Sequence, residues 1–204
     1  MEIIVATRNR GKLGEIREAL SDLGIALYSL EDFPDVPEVL EDGETFYENA
    51  VKKARETAWH TGKLALADDS GLVVDALGGE PGVYSARYAG EEADDRMNND
   101  KLLEELKDVP ENNRTARFIC VIAVAFPDGE LITAHGASEG RIMDAPRGEQ
   151  GFGYDPLFYS VEAGAGFSEI SRKEKLKVSH RGRALQELKE KLRKWMNTSG
   201  TEAQ

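Results

Sequence analysis

The sequence holds a single cysteine, Cys120, among 204 residues. That excludes a disulfide framework and any metal site built on several thiolates. Cys120 lies within the apolar run Phe118 to Phe126 and reads as a buried, inert thiol. No apolar run approaches the roughly 18 residues that a membrane-spanning helix needs, and no basic stretch followed by an apolar one opens the chain. A soluble, cytoplasmic protein is expected. Cations are in the minority, with 26 Lys and Arg against 38 Asp and Glu and a net charge of −12. Nucleic-acid polymers and anionic membranes would be repelled over a Debye length. A small anion is still admissible where cations, backbone N–H groups and a divalent ion gather locally. Internal repeats, heptads and low-complexity linkers are also lacking. The 40% of apolar residues can fill the core of one large domain or two small lobes.

Patterning along the chain alternates strand and helix at first. Glu2 to Thr7 is β-branched and reads as a buried strand, and Leu13, Ile16, Ala19, Leu20 and Leu23 recur at helical spacing over Lys12 to Leu23. Gly24 then stops the helix, and Ile25 to Leu30 resumes strand character. Phe33 to Gly43 is a proline- and acid-rich loop. Thr45-x-x-Glu48 has the form of a capping box heading a helix that runs to about Thr61. Leu64 to Ala67 reads as a short buried strand, Gly78 to Gly82 as an irregular loop, and Asp94 to Leu106 as a helix. Arg117 to Phe126 and Glu130 to Gly140 form two apolar strands joined through Pro127-Asp128-Gly129, a hairpin signal. Gly148 to Pro156 is a second glycine-rich loop, followed by a brief strand and the loop Glu162 to Gly166. Ser179 can cap a last helix with Ala184, Leu185, Leu188, Leu192 and Trp195 on its apolar face. Thr198 to Gln204 reads as a frayed tail. The class is α/β with a mixed sheet, expected as two lobes with an active-site cleft between them.

Four segments carry chemistry. Thr7-Arg8-Asn9-Arg10-Gly11-Lys12 sits at a strand-to-helix turn, where unpaired N–H groups and the helix dipole favour an anion and Lys12 adds a mobile charge. It has too few glycines for a GxGxxG motif or a P-loop, and an ordinary turn is the alternative. Asp68-Asp69-Ser70-Gly71 sets two adjacent carboxylates directly after a strand, a usual ligand position in open α/β sheets. Neighbouring carboxylates repel unless a cation lies beside them. Mg²⁺ meets that need where a substrate brings its own phosphates, and a carboxylate not committed to metal can take a proton from water. A plain Asp-Ser-Gly turn is the competing explanation. In Gly151-Phe152-Gly153-Tyr154-Asp155-Pro156 the aromatics can offer a flat face to a base while Asp155 or nearby backbone reads its edge; equally, they can plug the loop onto the core. Lys175 with Ser179-His180-Arg181 gathers cations at a helix start, where the dipole disfavours them unless an anion is near. A solvated charge run over Arg172 to Lys177 is the alternative.

Taken together, TRNRGKLGEI, EDGETFYENAVKKA, ADDSGL, LGGEPGVYSARY, GFGYDP and SHRGRAL resemble, in order and over Met1 to about Trp195, the inosine/xanthosine triphosphate pyrophosphatase family. The resemblance implies an elongated mixed twisted sheet flanked by helices, two lobes over residues 1–195, a homodimer and a Mg²⁺ requirement. Thr7 to Lys12 would hold phosphates, and Lys53 would add positive charge. Asp69 would be general base and metal ligand, and Ser70 would contact substrate. Phe152, Gly153, Tyr154, Asp155, Lys175, His180 and Arg181 would form the base and phosphate pocket. In several members an acidic metal ligand stands where this chain has Leu40, which leaves Glu41, Glu38 or Asp68 as the second metal ligand.

The implied activity is hydrolysis of the deaminated purine triphosphates ITP, dITP and XTP to the monophosphate and pyrophosphate. A related pyrophosphatase for modified pyrimidine nucleotides, resembling the septum-formation inhibitor group, is one rival; the SHR segment and the Asn9 turn count against it. A non-enzymatic nucleotide-binding regulator is another. It would gain little from Asp68 and Asp69 beside a polyanion.

Overall fold

The computed structural model of the protein describes residues 1–199. In chain order the elements are β1 (Glu2–Val5), α1 (Arg10–Leu20), β2 (Ala26–Ser29), α2 (Phe46–Thr61), β3 (Leu64–Val74), α3 (Asp95–Glu105), β4 (Thr115–Ala125), β5 (Leu131–Ile142), β6 (Phe158–Ser160), β7 (Ala165–Gly166), α4 (Arg172–Val178) and α5 (His180–Ser199). The strands form one mixed sheet ordered β2-β1-β3-β4-β5-β6-β7. β1 runs parallel to β2 and β3, with Ile3 opposite Leu27 and Leu64. β6 is antiparallel to β5 and β7. Among the described residues no helix is long and apolar enough to cross a membrane.

Local chemistry accounts for the element ends. Thr45 Oγ1 accepts from Glu48 N at 3.1 Å and Glu48 Oε2 accepts from Thr45 N at 3.0 Å, so both halves of the capping box start α2. Gly62 ends that helix with a left-handed φ of 64°. The hairpin between β4 and β5 closes through Phe126 N to Glu130 O at 2.9 Å and Gly129 N to Phe126 O at 3.0 Å.

Four sequence expectations change. β3 does not stop at Ala67 but continues through Asp68, Asp69 and Ser70 to Val74. A strand, β7, lies inside the expected loop Glu162 to Gly166. Arg172–Val178 is a helix rather than a simple charge run, because Ser171 and Glu174 form a capping box ahead of it. α5 continues through Thr198 to Ser199, and the rest of the expected tail lies outside the described residues.

The chain forms two compact units. Among the described residues the first comprises 1–69, 121–135 and 182–199. Its core includes a layer of small side chains: Ala50, Ala54 and Ala58 make one stripe along α2, and they cluster with Ala65, Ala67, Ala123 and Ala125 of the sheet. A layer of alanines leaves no room for a larger side chain. Ala54→Leu is therefore expected to cost about 1–3 kcal/mol through overpacking, lowering the melting temperature by several degrees; an unchanged melting temperature would show the layer to be loose. The second unit comprises residues 70–120 and 136–181. Its core is aromatic instead, built on Tyr88, Phe118, Tyr154, Phe158 and Phe167 with Leu72, Leu102 and Leu157.

Candidate active site

In the first unit, charged groups converge from α1, α2, β3 and the loop before α2. Asn9 caps α1: its side chain accepts from Lys12 N at 3.0 Å, and Thr7 Oγ1 accepts from Asn9 N at 3.2 Å. This turn carries Lys12 toward β3, where its Nζ lies 3.2 Å from the fully buried carboxylate of Asp68. Lys53, one helical turn beyond Asn49 on α2, pairs with Glu41 at 2.5 Å. Burial acts to lower the Lys53 pKa, but Glu41, Asp68 and Asp69 outweigh it and hold the ammonium above its usual range. Asp69 is only 5% exposed. Burial, the largest influence, pushes its carboxyl up to about 6; Lys53, Lys12 and an Asn49 hydrogen bond pull it down, and Glu41 pushes it further up.

Asn49 was not foreseen from the sequence. Its side-chain oxygen accepts from Gly43 N at 2.8 Å, tying the loop that carries Glu41 to the helix whose amide also reaches Asp69. The approach is so close that a Cβ on Gly43 would lie 2.7 Å from that oxygen, so only glycine fits. A signal was present: asparagine is a poor helix former, and here it sits in the first turns of an otherwise strong helix. Glu38 takes no part in the cluster, being exposed and 3.8 Å from the exposed Arg8. Arg10 likewise faces Glu31 at 3.8 Å. Leu40 is 71% exposed.

The cluster has three carboxylates, Glu41, Asp68 and Asp69, and two lysines, Lys12 and Lys53, which leaves one net negative charge. A polyanion would not settle there by itself. A divalent cation would reverse the sign, and the all-oxygen donor set suits a hard one. Among the described residues no three His, Cys, Asp or Glu side chains form a preformed metal cage. Mg²⁺ is commonly held by one or two carboxylates, with water and substrate phosphates completing the shell, and Glu41 and Asp69 fit that pattern.

In the second unit the aromatic loop divides its roles. Tyr154 is the plug: it is buried in the aromatic core and its hydroxyl donates to Ser85 O at 2.8 Å, with burial holding the phenol well above its usual pKa. Phe152 is half-buried, with Lys175 Nζ 4.8 Å and the Arg181 guanidinium 5.6 Å from its ring centroid. Asp155 is buried and clips the loop, its Oδ2 accepting from Phe152 N at 2.9 Å and pairing with Lys175 Nζ at 2.6 Å. At Gly151 a Cβ would fall 2.2 Å from the same oxygen, and φ is 81°, so glycine is required twice over. Arg181 is 1% exposed and donates to Ser70 Oγ at 2.8 Å. The His180 ring stacks on Phe118, with centroids 4.6 Å apart. The structure thus groups Thr7, Asn9, Lys12, Lys53, Glu41, Asp68 and Asp69 in one unit, and Ser70, Phe152, Asp155, Lys175, His180 and Arg181 in the other.

The model of the Ham1 family matches residues 3–191. The dITP/XTP pyrophosphatase of Geobacter sulfurreducens is 60% identical over 190 residues, covering 93% of this chain and 96% of that one. The protein of the same name from Shouchella clausii is 55% identical, covering 93% and 95%. Among solved structures, a HAM1 protein from Coxiella burnetii is 44% identical with a TM-score of 0.87, covering 95% of this chain and 99% of that one. The Staphylococcus aureus Ham1 protein is 39% identical with a TM-score of 0.84, covering 95% and 98%. With the family model matched over residues 3–191, relatives at 55–60% identity over nearly the whole chain and solved structures sharing its fold, this chain belongs to the Ham1 family.

Proposed function

We infer that the protein hydrolyses deaminated purine nucleoside triphosphates, of the dITP and XTP kind, to the nucleoside monophosphate and pyrophosphate. The observation that carries the chemistry is the buried Asp69 carboxyl, raised to about 6 beside Lys53 and Lys12. A carboxylate in that range is ionised at neutral pH yet basic enough to draw a proton from an attacking water. Asp69 takes that proton, while Lys12, Lys53 and the N–H groups at the start of α1 neutralise the phosphate oxygens. Positioning and electrostatics supply most of the rate in phosphoryl-type transfers.

Glu41 and Asp69 would hold a divalent cation, Mg²⁺ in this reading, which when bound would add positive charge beside the triphosphate. Phe152 would offer its ring to the purine. Lys175 and Arg181 beside it can only donate hydrogen bonds, so carbonyl oxygens on a purine edge are met and amino groups are not. An amino group left buried and unpaired costs about 1–3 kcal/mol, or one to two decades in kcat/KM. This favours hypoxanthine and xanthine over adenine and guanine. A homodimer and a cytoplasmic location belong to the same reading, on the strength of the family resemblance.

Product analysis tests it. With dITP and Mg²⁺ the protein is expected to release pyrophosphate and dIMP in equal amounts, and EDTA to abolish turnover. Release of orthophosphate with dIDP would contradict the reaction, and undiminished turnover in EDTA would contradict the metal.

A further inference from the structure

Gly153, at the centre of the aromatic loop, is gripped at both ends of its backbone by one helix. Its N–H donates to Asp95 Oδ2 at 2.6 Å, and its carbonyl accepts from Asn99 Nδ2 at 2.9 Å. Asp95 and Asn99 stand one turn apart at the start of α3, so their side chains share a face. The Asn99 amide also donates to Asp95 O at 2.7 Å. Two carbonyl oxygens therefore face the same NH₂ group, which fixes the amide's orientation, and Asn99 Oδ1 is buried with no partner among the described residues. An aspartate of the same shape would turn an anionic oxygen on both carbonyls. Asp94 already caps α3, donating nothing and accepting from Met97 N at 2.8 Å, so Asp95 is not needed as the cap.

We propose that Asp95 and Asn99 are positioning residues for substrate selection: by clamping Gly153 they hold the Phe152 ring against Lys175 and Arg181. The clamp rests on the reading that the Phe152 loop receives the purine. It acts on binding of the base and leaves the proton transfer at Asp69 alone. Phe152 N is tied to Asp155, which Lys175 of α4 holds, and Tyr154 is seated in the core; the α3 bonds fix Gly153, between these two anchors. Loss of the clamp should therefore raise KM and leave kcat nearly unchanged.

The test is Asn99→Asp beside Asp95→Ala, which removes the acceptor for the Gly153 N–H. Each variant is checked for a native melting curve, and amide hydrogen exchange at Gly153 is followed along with dITP kinetics. N99D and D95A are both expected to speed exchange at Gly153 and raise KM for dITP, N99D about tenfold, with kcat within about threefold in each. Unchanged exchange in N99D would overturn the clamp. Faster exchange with unchanged KM would overturn its role in selection and also tell against the Phe152 loop as base site, whereas failure of both variants to turn over dITP at all would point to the wrong reaction. Should N99D not fold, Asn99→Ser is measured instead with the same criteria.

Discussion

Asp69→Asn is expected to lower turnover of dITP by about a thousandfold, the scale of a lost general base, and at the same time to stabilise the metal-free protein at pH 8. Both effects come from burial. The carboxyl is 5% exposed and its pKa stands near 6 against an ordinary value of 3.8. The folded state thus binds the proton more tightly than the unfolded state does. Wild-type stability is highest below the unfolded value, falls as pH rises from about 4 to about 6, and stays lower above. Asparagine has no such dependence. The gap between variant and wild type should grow from near zero at pH 4 to about 3 kcal/mol at pH 8, two pKa units converted at about 1.4 kcal/mol each. Thermal melts in EDTA across that range check it. Parallel curves would mean that the carboxyl is not strained by burial, and retention of more than about a tenth of the activity would remove Asp69 as the base.

Lys175→Met is expected to cost about 3–5 kcal/mol of stability, because it strands the Asp155 carboxylate in a dry site. The two side chains are 4% and 3% exposed and 2.6 Å apart. Asp155 also accepts from Phe152 N, so the loop loses its clip as the charge is driven to protonate or find water. Pairing Lys175→Met with Asp155→Asn removes the unpaired charge and keeps an oxygen for that N–H. The double variant should recover most of the loss in urea unfolding. A double variant as unstable as the single one would show that packing of the lysine stem, and not the ion pair, is what matters.

The fold was most legible where short-range chemistry decides. The Thr45/Glu48 box, the Gly24 and Gly62 stops and the Pro127-Asp128-Gly129 turn act within a few residues, and each sits where the sequence places it. The Asp68-Asp69 pair looked like the end of a strand because two carboxylates are poor strand residues. β3 continues through them because Lys12, Lys53 and Asn49, from two helices, supply the compensation. Lys175 stands out in the sequence as a candidate pocket cation, with a solvated charge run as the alternative; its buried partner lies 20 positions away, and only the fold reveals the pair. Asn98 and Asn99 fall inside the helix that the sequence predicts over Asp94 to Leu106. Two poor helix formers in succession were the clue, for Asn98 bonds Ala86 O and Ala89 N while Asn99 bonds Gly153.

A competition between dITP and dGTP in one reaction with Mg²⁺, following both monophosphates, bears on the whole electrostatic account, since the two purines share the 6-oxo group and differ in the 2-amino group. The donors Lys175 and Arg181 beside Phe152, with the Asp155 carboxylate already engaged by Lys175 and Phe152 N, predict a kcat/KM ratio of about 10–100 in favour of dITP. A ratio near one would contradict it.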